Sequence, residues 1–141
     1  MQKQDFSKRI VILVNRELPS WKVLNTVGHI SAHFGYHLEE KFRTQPYFKT
    51  LDGSEIPRNS QYPIIILTAT PDALESFSKE IESEDLEKMF FIPEMIETTD
   101  DENIEALLSL KTKAELEYLG IGIFGENEKI KKLTQGFKLY S

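Results

Sequence analysis

The sequence predicts an α/β fold, in which one mixed, mostly parallel sheet of four to five strands carries helices on both faces. Residues 9–15 and 62–67 are continuous apolar runs rich in β-branched residues, as is typical of strands buried on both sides. A segment with helical periodicity follows each run, and strands that alternate with helices form such layers. We find no repeat, low-complexity tract or linker, so we expect residues 1–141 to form a single domain.

The first strand and the helix after it have clear boundaries. The strand covers residues 9–15, and Pro19 and Ser20 follow it, with Ser20 a good N-cap. The helical pattern covers residues 21–34, and we expect Gly35 to end it as a C-cap. The apolar stripe that faces the sheet comprises Val23, Val27, Ile30 and Phe34. A second, polar stripe comprises Lys22, Asn25, His29 and His33.

The middle of the chain contains a hairpin, a strand and a helix. Asp52-Gly53 predicts a hairpin turn between two short extended pieces, and residues 62–67 form the second buried strand. Thr70-Pro71 caps and starts the next helix, which we expect to reach about Ser83. Its inward residues are Leu74, Phe77 and Ile81.

The segment that follows this helix contains shorter secondary-structure elements and more acidic residues. Residues 89–92 predict a short strand that Pro93 stops, and residues 98–102 predict a polar loop. Residues 104–110 predict a helix that buries Leu107 and Leu108.

The C-terminal part contains Gly120, Gly122 and Gly125, which spell the dinucleotide-binding pattern G-x-G-x-x-G. Only sixteen residues follow Gly125, too few for the further strand and the acidic residue that such a site needs. We therefore expect no cofactor. Residues 118–124 predict the last central strand, in which glycines allow close approach of a helix or neighbouring backbone, and Gly125 would serve the turn into a final helix at 126–133.

Composition and charge restrict the class of protein. The formal net charge of −6 argues against nucleic acid as a partner, although four lysines near the end leave a local basic face conceivable. There is no cysteine, no apolar run long enough to span a bilayer, and no apolar core of a secretory signal in the first eight residues. We therefore expect a cytoplasmic protein without membrane association.

Three strand-to-helix junctions could form a shared pocket, because ligands gather beyond the carboxyl ends of strands in open α/β sheets. The junctions are residues 15–25, 68–72 and 122–127, and they meet at one edge if their strands run parallel. The alternative is that these polar residues only cap helices and turns. The candidate ligand-binding residues are Asn15, Arg16, Trp21, Lys22, Asn25, Thr68, Thr70 and Asn127.

Two clusters could bind a metal, but a simpler interpretation is available for each. His29 and His33 have the i, i+4 spacing of shared metal ligands, yet Gly35 would end the helix before His37, and Ile30 replaces the glutamate of H-E-x-x-H. Solvated or partly buried histidines explain the pattern as well, so we expect no metal site. The acidic run at residues 100–102 could bind a hard cation, or be a solvated loop.

Two blocks of the sequence resemble a known family. Residues 10–26, Ile-Val-Ile-Leu-Val-Asn-Arg-Glu-Leu-Pro-Ser-Trp-Lys-Val-Leu-Asn-Thr, and residues 117–139, with Leu-Gly-Ile-Gly leading to Lys-Ile-Lys-Lys-Leu-Thr-Gln-Gly-Phe-Lys-Leu, are similar to the bacterial family catalogued as domain of unknown function two-thousand. The resemblance implies a fold like that of the type II peptidyl-tRNA hydrolases, and a possible homodimer.

The catalytic residues of those hydrolases carry over only in part. The resemblance places Leu24 where the hydrolases have their essential lysine, while Lys22 matches an earlier lysine and Gly28 the glutamine. It places the aspartate near Glu105. The threonine positions fall near Ser109 and Glu117.

Three functions follow from these observations. The first is a domain that binds a small ligand or a protein at the carboxyl edge of the sheet. The alternative is a hydrolase of an ester bond, such as that of peptidyl-tRNA, in which Lys22 polarises the carbonyl and His29 or Glu105 steers water. The third is a purely structural domain that uses the same edge for a protein partner.

Overall fold

The computed structural model describes residues 2–141, so that Met1 lies outside the described chain. These residues form one α/β domain with a five-stranded sheet, a separate two-stranded hairpin and five α-helices. The strands are β1 (Lys8–Asn15), β2 (Tyr47–Lys49), β3 (Glu55–Pro57), β4 (Ile64–Ala69), β5 (Glu87–Phe91), β6 (Gly120–Glu126) and β7 (Lys138–Leu139). The helices are α1 (Ser20–Leu38), α2 (Pro71–Glu80), α3 (Glu94–Glu97), α4 (Asp101–Leu108) and α5 (Asn127–Thr134).

The sheet is mixed, but the prediction that it is mostly parallel is wrong. Its order is β5-β6-β1-β4-β7, and only the β1–β4 pair is parallel. Residues 92–119 join β5 to its neighbour β6, and these two strands run in opposite directions. Such a connection starts and ends at the same end of the sheet. A sequence in which strands alternate with helices does not show whether a connection returns to the same end or crosses to the other.

Helices cover both faces of the sheet, as predicted. Ile10, Ile12 and Val14 of β1 lie in one core cluster with the buried side of α1. Val11 and Leu13 point the other way, into a cluster with residues of α2 and α5. This alternation is the period-2 geometry of a strand that is buried on both faces.

The glycines of β6 allow α1 to lie close to the sheet. A Cβ atom added to Gly120 would lie 2.6 Å from Cγ2 of Thr26, and one added to Gly122 would lie 2.7 Å from Cε2 of Phe34. These contacts confirm the close-approach interpretation. The prediction that Gly125 serves a turn is wrong, because Gly125 is still paired within β6.

The first helix is longer than predicted at its C-terminal end. It continues through Gly35 to Leu38, which is buried in the core, and it ends where Glu39 adopts a positive φ of 48°. Burial of Leu38 compensates for a glycine inside the helix, which costs roughly 1 kcal/mol relative to alanine. Pro19, not Ser20, is the N-cap, and no side chain caps this end.

The hairpin and the second helix agree closely with the sequence. β2 and β3 flank a turn in which Gly53 has a φ of 86°. The Thr70 hydroxyl accepts a hydrogen bond from the Ala73 N–H and caps α2, which ends at Glu80 and not at Ser83. The inward residues Leu74, Phe77 and Ile81 are all buried.

The segment between β5 and β6 departs most from the prediction. The expected loop at residues 98–102 contains the start of α4, because the Asp100 carboxylate accepts hydrogen bonds from the N–H groups of Glu102 and Asn103. Leu107, predicted to be buried, is 40% exposed. The sequence did not predict α3 or the short edge strand β7. Within residues 2–141, none of the helices combines the length and the apolar character needed to cross a bilayer.

Candidate ligand-binding site

The strand directions separate the three junctions that were predicted to meet. β1 and β4 are parallel and bring their carboxyl ends to one edge, whereas β6 runs against β1 and ends at the opposite edge. Asn127 therefore lies beside the beginning of β1, where its Oδ1 accepts a hydrogen bond from Nε of Arg9 at 2.9 Å. The grouping of Asn127 with the other candidates is wrong.

At the β1–β4 edge, the polar candidates act in caps and turns. Oδ1 of Asn15 accepts a hydrogen bond from the Glu17 N–H at 2.9 Å, and Thr70 caps α2. Thr68 lies beside β7, with its hydroxyl 3.4 Å from the carbonyl oxygen of Lys138. The Arg16 side chain is exposed, and the backbone N–H of Arg16 donates to the Ala69 carbonyl. This edge matches the alternative in which Asn, Thr and Ser serve local structure.

A cleft of about 640 Å³ lies instead between α1, β5 and the α3–α4 segment. Four predicted site residues line it: Trp21, Asn25, His29 and Glu105. The other lining residues are Met89, Phe91, Met95, Ile96, Thr98, Thr99, Asp101, Ile104 and Leu108. The structure thus brings residues 21–29 together with residues 101–108, which no single motif connects.

The α1 wall of the cleft follows from helical spacing. Trp21, Asn25 and His29 lie at i, i+4 and i+8, so they share one face of the helix. The His29 ring stacks on Phe91 of β5, with the ring centroids 4.9 Å apart and the planes 21° apart. This contact ties the polar face of α1 to the apolar floor of the cleft.

Lys22 does not line the cleft. Its Nζ lies 5.4 Å from the centroid of the Trp21 ring, a cation–π distance. The prediction that Lys22 acts together with His29 and Glu105 is therefore not supported, because only His29 and Glu105 line the cleft. Leu24, at the position of the hydrolase lysine in the resemblance, is 72% exposed.

The opposite wall contains an ion pair whose carboxylate is buried and whose lysine is 40% exposed. Oε1 of Glu94 in α3 lies 2.6 Å from Nζ of Lys111, which follows α4, and the Glu94 side chain is only 6% exposed. Burial acts to raise the pKa of the Glu94 carboxyl, but the hydrogen bond and the charge of Lys111 outweigh burial and hold this pKa below its ordinary value. The same bond raises the pKa of Lys111. The second oxygen, Oε2, has no partner within residues 2–141.

The floor of the cleft was missed as a site, although part of it was visible in the sequence. Met89 and Phe91 fall two residues apart in a predicted strand, so the strand period alone puts them on one face. Met95 and Ile96 belong to α3, a single turn after Pro93 that gives no periodic signal. Asp101 was predicted to belong to an acidic run, either a hard-cation site or a solvated loop, and not to a ligand cleft.

The histidines of α1 contact side chains of the protein itself. His37, predicted to lie beyond the helix, is on α1, and its Nε2 lies 3.0 Å from Oε2 of Glu87. The His33 and His37 rings stack at 5.8 Å. Among residues 2–141, no group of three or more His, Asp or Glu side chains is placed to bind a metal ion.

A second cleft, of about 590 Å³, lies at the opposite edge of the sheet and is strongly polar. It includes His37 and Glu87, which pair with each other, and Lys129, whose Nζ lies 3.0 Å from Oε2 of Glu84. The polar, charged lining of this cleft contrasts with the largely apolar lining of the cleft beside α1.

The comparisons with known proteins agree with the fold. A family model described as protein of unknown function (DUF2000) matches residues 8–141. A solved structure of a protein of unknown function from Agrobacterium tumefaciens strain C58 has a TM-score of 0.84 and 19% identity, and the match covers 97% of this chain and 100% of that one. At this identity, the likeness concerns the fold alone. The search of the curated proteins gave no match.

Proposed function

The chain belongs to the DUF2000 family, and from its own geometry we propose that it binds a small, mainly apolar molecule in the cleft between α1, β5 and α4. Ligand pockets in proteins usually have volumes of roughly 300–1,000 Å³, apolar linings and a few polar groups that orient the ligand. The cleft has this composition. Its floor is formed by Met89, Phe91 and Leu108, and its polar groups are carried by α1 and α4.

One observation carries the proposal: three of the polar side chains that line the cleft form no hydrogen bond or ion pair with the part of the protein that the structure describes. Within residues 2–141, no side-chain hydrogen bond or ion pair involves the polar groups of Asn25, Asp101 or Glu105. At the β1–β4 edge, by contrast, the side chains of Asn15 and Thr70 are used in a turn and a cap. The polar groups of Asn25, Asp101 and Glu105 therefore remain available to a ligand.

The sole tryptophan gives a direct test, because Trp21 lines the cleft. We expect a screen of small apolar fragments to find compounds that both change Trp21 fluorescence and raise the melting temperature, since a ligand that binds only the folded state stabilises it. Ile104→Phe, which fills the cleft, should abolish both effects. Leu107→Phe, on the exposed side of the same helix, should retain them. Equal responses in the two variants, or no response in the wild type, would contradict the proposal.

A hydrolase is the second candidate, because His29 and Glu105 line the same cleft. A histidine and a carboxylate could together activate water for attack on an ester. Against this, Lys22 lies on Trp21 and outside the cleft, and Leu24 cannot stabilise an oxyanion. We therefore expect no turnover of peptidyl-tRNA or of nitrophenyl esters. Turnover that His29→Ala abolishes, with the fold retained, would reverse this ranking.

A further inference from the structure

We infer that the ligand of this cleft is an amphipathic cation, an apolar body that carries an amine or ammonium group. This inference rests on the proposed function, and it names the chemical class of the ligand. Two carboxylates at the mouth of the cleft carry the argument. Asp101 and Glu105 are four residues apart on α4, so both lie on the side of the helix that faces the cleft.

Within residues 2–141, neither carboxylate forms an ion pair. The lining of the cleft, which is drawn from residues 2–141, includes neither lysine nor arginine. Elsewhere some acidic side chains are paired with lysine, as in Glu82–Lys113 and Glu84–Lys129. On the α3–α4 wall itself, Lys111 is already bound to Glu94.

The two positive features nearest to the cleft do not favour an anion. Lys22 lies over the Trp21 ring and does not line the cleft. The N-terminus of α4, which could attract an anion through its free N–H groups, is occupied by the Asp100 carboxylate. An anionic ligand would therefore meet Asp101 and Glu105 without a compensating cation, and like charges repel.

The apolar lining of the cleft suits the apolar body of such a ligand. Met89, Phe91 and Ile104 offer apolar and aromatic surface below the two carboxylates. A flexible methionine adapts to ligands of different shape, and aromatic faces attract cations as well as apolar groups. An amine bound by Glu105 or Asp101 would leave its apolar body on this surface.

The test compares three probes that share one apolar tail: phenylbutylamine, phenylbutanol and phenylbutyrate. Each is titrated against the full chain, with Trp21 fluorescence and calorimetry as readouts. We expect the amine to bind at least about tenfold more tightly than the carboxylate, a difference of about 1.4 kcal/mol. The alcohol should fall between them, and added salt should weaken only the amine preference.

Matched variants identify the source of the preference. Glu105→Gln and Asp101→Asn should each reduce amine affinity severalfold and leave alcohol affinity unchanged. Glu102→Gln removes the same charge from the same helix but does not line the cleft, so it should preserve the amine preference.

The outcomes separate this inference from the proposed function. If the alcohol or the carboxylate binds best, and Ile104→Phe blocks it, the cleft is a ligand site but the charge inference is wrong. If Glu102→Gln weakens the amine as much as Glu105→Gln does, the preference comes from overall charge, and the inference is also wrong. If none of the three probes binds, both the inference and the proposed ligand site are contradicted.

Discussion

At the scale of single residues, the glycines of β6 serve packing. Gly120 and Gly122 face α1, where Thr26, Ile30 and Phe34 fill the space that a side chain would need. The close approach of a helix to these glycines was predicted correctly, because a glycine within a strand commonly allows it. The part that could not be read from the sequence was which face each glycine occupies, since this depends on strand register.

The first prediction concerns Gly122. Gly122→Ala should destabilise the fold by about 1–3 kcal/mol, because the new methyl group overpacks the contact with Phe34. The urea midpoint measures this loss. Gly136→Ala is the control: its methyl group would meet no atom within 4 Å, so the stability should change by less than about 0.5 kcal/mol. Equal effects of the two changes would contradict the packing account.

His29 shows what residue patterns could and could not predict. Its position on a polar stripe with Asn25 was evident from the sequence, because helical spacing determines it. Its contact with Phe91 was not, because it joins α1 to a strand more than sixty residues away in the chain. The sequence thus identified the residues of α1 that line the cleft, but the residues that contact them became evident only from the fold.

At the scale of secondary-structure elements, the α3–α4 segment determines the shape of the cleft. No side chain of α4 is fully buried, and α3 buries only Glu94. The segment gives weak sequence signals for the same reason, since helix prediction relies on an apolar stripe that packs on a core. Met95, Ile96 and Leu108 of this segment pack against the core, and the ion pair between Glu94 and Lys111 adds a polar attachment.

The second prediction concerns the pH dependence of this ion pair. The pKa of Glu94 lies below its ordinary value of 4.5, so its ionised form stabilises the fold above about pH 4.5. That stabilisation is lost as the pH falls through the lower folded-state pKa. Lys111→Met should leave the buried Glu94 carboxylate unpaired at a cost of about 1–2 kcal/mol at pH 7. Urea midpoints measured from pH 7 to pH 3 should show this cost shrinking as Glu94 becomes protonated.

The control for this experiment is Lys113→Met, which removes the partner of Glu82 in an exposed pair. Exposed pairs contribute little, so we expect a small effect without a marked pH dependence. If Lys111→Met behaves like Lys113→Met at every pH, the ion pair does not hold the α3–α4 wall.

At the scale of the whole molecule, the layered α/β architecture was predictable, but the strand order was not. The buried runs at β1 and β4 and the amphipathic α1 and α2 give strong local signals. The direction of β6 depends on the path of residues 92–119, which leave β5 and enter β6 at the same end of the sheet. No local pattern in the sequence encodes this path. Because β6 runs antiparallel, the pocket predicted from three parallel junctions does not form at that edge.

The homodimer implied by the resemblance stays a prediction, and we expect it to form through the exposed face of α1. Leu24 is 72% exposed and Tyr36 is 86% exposed, with the small residues Gly28 and Ala32 between them. Large residues toward the ends of a face and small residues at its centre suit two antiparallel helices about a twofold axis.

Sedimentation velocity tests this prediction. The wild-type protein should sediment at about twice the chain mass of 16.3 kDa, and Leu24→Glu should sediment as a monomer. Leu110→Glu changes an equally exposed leucine elsewhere and should leave the dimer intact. A wild-type monomer at high micromolar concentration would contradict the prediction.

The most direct measurement of the central claim, a ligand in the cleft beside α1, is methyl NMR of the protein labelled at methionine and isoleucine. Met89, Met95 and Ile104 line the cleft, whereas Ile130 is buried on the opposite face of the sheet. On titration with phenylbutylamine, we predict that the methyl signals of the three lining residues shift in a saturable manner while the Ile130 signal does not. If the lining signals stay unchanged, or if the shifts cluster elsewhere, the account of this cleft as the functional site is contradicted.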